Sequence, residues 1–219
     1  MEPMSALHVF DMDGTLLRGS ACLEISRAIG VLDETLAIED GWIRGTISDS
    51  GFWEQCLPLW EGLSEEHIDN AFAATPWLDG VEAVFGDIRA RGEHSVVISQ
   101  SPKFFVERLQ RWGAGYTFGS LVQPGNGKGA DMTVSTTDKV RITEELLGEL
   151  SLTVDDCVAY GDSSSDMALF ERLTHTVAVN AKDSIRRLAR ASYEGSDFWA
   201  AYLAGRRLLD ARATKSSTP

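Results

Sequence analysis

Four short apolar runs, each stopping at a small or polar residue, constrain this chain more than any other feature. Ala6-Leu7-His8-Val9-Phe10 stops at Asp11, Ser95-Val96-Val97-Ile98 at Ser99, Val154 to Tyr160 at Gly161-Asp162, and Thr176-Val177-Ala178-Val179 at Asn180. Near-continuous apolar runs of this length fit strands covered on both faces, as in parallel sheets. The expected fold class is therefore α/β. In an open α/β sheet the ligand crevice lies outside the carboxyl ends of the strands. Three different strands are thus expected to deliver Asp11, Ser99 and Asp162 to one edge.

Between the runs the periodicity turns helical. Ser101-Pro102 followed by Phe104, Phe105, Leu109 and Trp112 predicts an N-cap, a first-turn proline and an amphipathic helix stopped by Gly113. Asp138 to Leu150 predicts another, with Val140, Ile142, Leu146, Leu147 and Leu150 on one buried face. Residues 17–77 show helical periodicity and no strand, enough for a small all-helical cap inserted into a core made of residues 1–16 and 78–219. Gln123 to Thr137, rich in glycine, reads as a loop or hairpin, and the Ser-Ser-Thr-Pro terminus as frayed.

Charge and cysteine content narrow the partners. The 219 residues carry 33 acidic and 20 basic side chains, a formal net charge of -13. Such a surface repels a phosphate backbone, so nucleic acid is not an expected partner. Cys22, Cys56 and Cys157 are too few and scattered for a disulfide framework or structural zinc. The expectation is a soluble cytoplasmic protein without a signal peptide or membrane helix.

The densest chemistry is Asp11-Met12-Asp13-Gly14-Thr15-Leu16. Carboxylates at i and i+2 point the same way where a strand opens into a loop, and Gly14 lets the backbone turn back over them. Close carboxylates repel unless a cation or shared proton compensates, so the pair asks for a hard ion such as Mg2+. The competing reading is a solvated turn. Histidines 8, 67, 94 and 175 have no partner at ligand spacing, and Gly125-Asn126-Gly127-Lys128-Gly129 lacks the spacing of a phosphate loop.

These residues resemble the signatures of the haloacid dehalogenase superfamily, mostly Mg2+-dependent phosphatases with a Rossmann-like parallel sheet. Asp11 to Leu16 is similar to the first signature and Val97-Ile98-Ser99 to the second. Lys139 falls where the third is expected, and Gly161-Asp162-Ser163-Ser164-Ser165-Asp166 is similar to the fourth. The helical insert after the first signature resembles the phosphoserine phosphatase-like branch. The resemblance implies Asp11 as the nucleophile that becomes an aspartyl phosphate, and Asp13 as general acid and then base. It implies Mg2+ held by the Asp11 and Asp162 carboxylates and the Asp13 carbonyl, with Asp166 behind them or reaching the ion through water. Ser99 and Lys139 would hold the phosphoryl oxygens, Lys139 being favoured over Lys103 and Lys128 by motif order.

The expected function is hydrolysis of a small-molecule phosphomonoester. Phosphoserine phosphatases place a glutamate soon after the first signature and an arginine later in the cap, whereas this chain has Ser20 and Trp60 near those places. Phosphoserine is thus not the expected substrate. Trp42, Trp53, Trp60 and Trp77 either wall an apolar leaving group, with Trp53 and Trp60 as specificity residues, or build the cap's core. Two alternatives remain: a phosphotransferase or phosphomutase with the same aspartyl phosphate, and a catalytically silent binding protein. Neither the oligomeric state nor cap movement is determined by the sequence.

Overall fold

The computed structural model describes residues 5–124 and 133–215. Its frame is a six-stranded parallel sheet, in the order β3-β2-β1-β4-β5-β6, comprising β1 (Leu7–Phe10), β2 (His94–Pro102), β3 (Tyr116–Ser120), β4 (Cys157–Gly161), β5 (His175–Val179) and β6 (Ala191–Tyr193). The register pairs Phe10 with Val97 on one side and with Tyr160 on the other. The carboxyl ends of β1, β2 and β4 therefore lie level. The strand order reverses between β1 and β4, which is the switch point where α/β sheets bind ligands.

Both sheet faces are covered. Leu7, Val9, Val96, Ile98 and Ala159 pack on one side with α7 (Thr136–Glu149), α8 (Met167–Arg172) and α9 (Asp183–Leu188). Phe10, Val97, Val158, Tyr160 and Val177 pack on the other with α5 (Val81–Ala90) and α10 (Phe198–Lys215). The same apolar cluster continues into the insert. There α1 (Ala21–Ala28), α2 (Leu32–Ile43), α3 (Asp49–Leu59) and α4 (Glu65–Ala74) follow β1 with no strand among them. The chain leaves and returns through paired backbone, Arg18 N–H donating to Pro76 O at 3.0 Å and Leu78 N–H to Leu16 O at 2.9 Å.

α4 is fastened to the sheet side. Buried Arg108 reaches Asp69 Oδ1 through Nε at 2.6 Å and Glu65 Oε2 through Nη2 at 2.5 Å, and Phe72 packs on Phe105 and Trp112. A guanidinium fork holding two carboxylates of one helix gives directional attachment as well as charge.

The helix expected from Ser101 onward is corrected. β2 runs on to Pro102, whose ψ of 132° is extended, and only α6 (Lys103–Val106) and a 3-10 segment (Glu107–Trp112) follow before Gly113 ends them at φ 94°. Pairing of Pro102 with Ser120 of β3 outweighs the local capping signal. The capped start of α7 lies two residues earlier than expected. Ser135 caps it, its Oγ accepting from the Asp138 N–H, and the Asp138 carboxylate accepts from the Ser135 N–H. α10 and the edge strand β6 escaped sequence reading because β6 is short and the α10 stripe is built partly from small residues, Ala201 and Gly205. A Cβ at Gly205 would collide with the Tyr160 hydroxyl. Most of the glycine-rich 123–137 stretch, with Lys128, and the last four residues lie outside the described residues.

His8 is a buried polar residue on the Phe10 face of β1. Its Nε2 lies 3.0 Å from Glu93 Oε2 and its Nδ1 3.3 Å from the Tyr160 hydroxyl, while Arg206 of α10 also pairs with Glu93. An acceptor at Nε2 and a hydroxyl at Nδ1 suit the neutral ring, and burial pushes its pKa below the ordinary value despite the Glu93 charge. The unfolded chain therefore takes up a proton first as pH falls. Stability from this group is complete above about pH 6.5 and falls below it, by at most about 1.4 kcal/mol per pH unit. Urea unfolding of wild type and His8→Gln at pH 7.5 and 5.5 is expected to show a larger acid loss in wild type; equal losses would refute the assignment.

Candidate functional site

The backbone after β1 turns at once. Asp11 N–H donates to Tyr160 O at 3.0 Å, and the Met12 carbonyl accepts from the Leu16 N–H at 2.8 Å. Gly14 has φ 76°, and a Cβ there would strike the Asp162 carboxylate, so glycine is required twice over. Gly161, ending β4, is equally confined, because a Cβ would strike Asp166.

These turns bring Asp11, Asp162 and Asp166 together, with carboxylate oxygens within 4.8 Å of one another. Lys139 enters from α7. It lies on the helix's apolar stripe with Ile142, Thr143, Leu146 and Leu147, and is 1% exposed. Its Nζ donates to Asp11 Oδ1 at 2.8 Å, Asp166 Oδ1 at 2.7 Å and Ser165 Oγ at 3.1 Å. Asp166 Oδ2 accepts from the Asp162 N–H at 3.0 Å and the Ser163 N–H at 3.3 Å. Asp166 thus braces the loop after β4 and orients the lysine.

One ammonium serves a crowded set of carboxylates. Burial and then the Asp166 charge hold Asp11 well above the carboxylate range, with Lys139 opposing them. Burial and Asp166 likewise push Asp162 up to about 7. Burial alone would lower Lys139, but Asp11 and Asp166 outweigh it and keep the ammonium charged. A further cation suits this arrangement. The donors are all oxygen, and Asp162 Oδ1 is buried without a hydrogen-bond partner, as a ligand atom awaiting a hard ion would be. The residues fit Mg2+, with Asp166 already engaged through both oxygens.

Asp13 points elsewhere. Its Oδ1 accepts from the Ala21 N–H at 2.7 Å, at the start of α1, and its Oδ2 accepts from Ser99 Oγ at 3.0 Å and Ser101 Oγ at 2.7 Å. Burial raises its pKa while these three donors oppose the rise. Ser99, expected on the phosphoryl oxygens, therefore has its hydroxyl committed to Asp13, and its oxygen also accepts from the Ser101 N–H at 3.0 Å.

The cap expectations change more. Trp60 is fully buried, its Nε1 donating to Ser26 Oγ at 2.8 Å, and its ring meets Trp53 and Phe104 edge to face. Trp53 is buried against Phe52 and Trp60. Both tryptophans build the cap's core, because their area is worth more buried than facing a polar site. Lys103 pairs with Glu107 at 2.8 Å on the surface. Ser20 caps α1 and its hydroxyl donates to Glu39 Oε1 at 3.0 Å. Ser101, Ser165 and Glu39 went unread. Alternation from Ser99 along an extended strand would have revealed Ser101; no local pattern marks the other two.

Residues 8–171 match the family model of haloacid dehalogenase-like hydrolases. The chain is 27% identical over 203 residues to the phosphoserine phosphatase of Archaeoglobus fulgidus, covering 88% of this chain and 59% of that protein. It is 25% identical to that of Idiomarina loihiensis, over 90% of this chain and 92% of the relative. Among solved structures, a phospho-aspartyl intermediate analogue of phosphoserine phosphatase superposes with TM-score 0.73 at 24% identity, covering 90% of this chain and 96% of that one. A HAD family hydrolase from Salmonella enterica serovar Typhi superposes with TM-score 0.78 at 19% identity, covering 92% of this chain and 73% of that one. At these identities the superpositions show the fold.

Proposed function

Because this chain belongs to the haloacid dehalogenase-like hydrolase family and acts on phosphoric monoesters, we propose that it hydrolyses a small phosphorylated metabolite in two steps through Asp11. The observation that carries this is the buried Lys139 to Asp11 bond of 2.8 Å beside an Asp13 carboxyl held separately by Ser99, Ser101 and the Ala21 N–H, its pKa raised by burial. The carboxylates of Asp11 and Asp162 and the carbonyl of Asp13 would hold Mg2+, which when bound would supply positive charge to offset the phosphoryl oxygens.

The Asp11 carboxylate attacks phosphorus as the bond to the leaving oxygen breaks, and Asp13 gives its proton to that oxygen. Asp13, now ionised, takes a proton from water; the water oxygen attacks the aspartyl phosphate, the bond to Asp11 breaks, and phosphate leaves. Ser99 and Ser101 hold Asp13 at the reacting edge. Lys139 keeps Asp11 oriented and partly neutralised, which favours approach of an anionic ester. This pairing also supports activity over the silent-protein alternative, since an idle site gains nothing from clustered buried carboxylates. Delivery of the phosphoryl group to an acceptor other than water uses the same first step.

The relatives carry the name phosphoserine phosphatase, so the expectation that phosphoserine is excluded gains no support from them. Trp60, near the place expected for the arginine, is buried in the core of the insert. No helix among the described residues is long and apolar enough to cross a membrane, and all three cysteines are buried free thiols, which supports a reducing, aqueous compartment.

An aryl phosphate assay tests the reading. Turnover with Mg2+ is expected to fall by at least about a hundredfold in EDTA and return when Mg2+ is restored. Full activity in EDTA would overturn it.

A further inference from the structure

We propose that Ser101 is the positioning residue of the proton donor: its hydroxyl keeps the Asp13 carboxyl in place during the reaction, which frees the Ser99 hydroxyl to turn to a phosphoryl oxygen. The inference rests on the phosphatase reading above. It goes beyond the family resemblance, whose second signature ends at Ser99 and implies nothing for Ser101.

Two hydroxyls meet one oxygen. Asp13 Oδ2 accepts from Ser101 Oγ at 2.7 Å and from Ser99 Oγ at 3.0 Å, while Oδ1 accepts from the Ala21 N–H at 2.7 Å. Each hydroxyl has a single hydrogen, so Ser99 cannot hold Asp13 and a phosphoryl oxygen at once. Ser101 makes the shorter bond, at the length of a hydroxyl on a charged oxygen. The Ser99 oxygen is also anchored by the Ser101 N–H at 3.0 Å, whichever way its own hydrogen points. Ser99 can therefore turn its hydrogen to an arriving phosphoryl oxygen without moving, and Asp13 keeps the hydroxyl of Ser101.

Backbone irregularity puts Ser101 there. Between Ile98 and Pro102 β2 takes four residues where β3, from Phe118 to Ser120, takes two, so the strand bulges through Ser99, Gln100 and Ser101. A bulge re-aims side chains at the end of a sheet, and this one turns both serines onto Asp13. The neighbouring strand holds the bulge in place: a Cβ at Gly119 would meet the Ser101 carbonyl and the Lys103 backbone at 2.8 Å or less. Ser101 is 4% exposed and Ser99 fully buried, so neither hydroxyl trades its bond to Asp13 for bulk water.

The test varies how much the leaving group needs a proton. Phenolate is a strong base that leaves with the help of an acid, whereas 2,4-dinitrophenolate leaves as a stable anion. The measurement is kcat/KM for phenyl phosphate and 2,4-dinitrophenyl phosphate, which covers binding and the first phosphoryl transfer. Each comparison is a ratio within one preparation, so loss of folded protein cancels. Ser101→Ala and Ser101→Gly, both without the hydroxyl, are expected to lower the phenyl to dinitrophenyl ratio by at least about tenfold, a share of the roughly 10^2 to 10^4 that a positioned acid contributes. Ser99→Ala is expected to lower kcat/KM for both esters and to keep the ratio within about threefold of wild type, as loss of a phosphoryl contact would. A wild-type ratio in the Ser101 variants, equal loss of both activities in them, or a ratio that falls as far in Ser99→Ala would each overturn the proposal. Failure of wild type to hydrolyse either ester would instead refute the phosphatase reading.

Discussion

Replacing Asp11 by Asn is expected to lower kcat on an aryl phosphate by at least about 10^4-fold, the scale on which removal of a covalent nucleophile acts. The amide has the size of the carboxylate but cannot displace an alkoxide from phosphorus. Acid-quenched mass spectrometry should detect a phosphorylated wild-type chain in turnover and none in the variant. Stability should move the other way. Asp11 is crowded by Asp162 and Asp166 around one ammonium, and burial holds its carboxyl well above the ordinary range. Removing its charge relieves that crowding, so in EDTA at neutral pH the variant should resist urea at least as well as wild type. A less stable variant that kept turnover would contradict both the mechanism and the electrostatics.

Lys139→Met should fail on both counts. The lysine is 1% exposed and bonded to Asp11, Asp166 and Ser165. Methionine fills its volume on the apolar stripe of α7 but leaves two buried carboxylates without their counter-charge. Removing one partner of a buried pair costs about 3–5 kcal/mol. Urea unfolding at pH 7.5 in EDTA should register a loss of that order. The loss should shrink as pH falls, because the carboxyls take up protons and no longer need the ammonium. Turnover should drop by about 10^2 to 10^3, the range found when a single charge-stabilising donor is removed. Unchanged stability at pH 7.5 would show that the lysine is not the counter-ion.

The contrast between these variants depends on where the lysine lies, and that position was only partly readable from the chain. Lys139 on an otherwise apolar helical stripe is a local anomaly, and its inward side follows from the 3.6-residue period. Its partners do not: Asp11 is 128 residues away. Ser101 shows the opposite error. Its sequence neighbourhood reads as a helix start, and pairing of β2 with β3 turned it into the end of a strand whose hydroxyl reaches Asp13. A local capping preference of about 1 kcal/mol yields to a strand completing its pairing.

The cap was the least readable part. Tryptophans at a small domain's surface and in its core have the same spacing, so sequence left Trp53 and Trp60 open, and close packing drew both inward. Glu39 was unread because nothing local marks it; only the packing of α2 against the start of α1 brings it to Ser20.

What the sequence determined by itself was the sheet and its chemical edge. Apolar runs with both faces buried dictate parallel strands, and residues at their carboxyl ends must share one rim, so Asp11, Ser99 and Asp162 could be placed together from one-dimensional pattern alone. Tertiary structure decided which groups within that rim share an ammonium and which hold a hydroxyl. Those outcomes depend on distances of about 3 Å between segments far apart in the chain, and on the competition for burial, neither of which periodicity encodes.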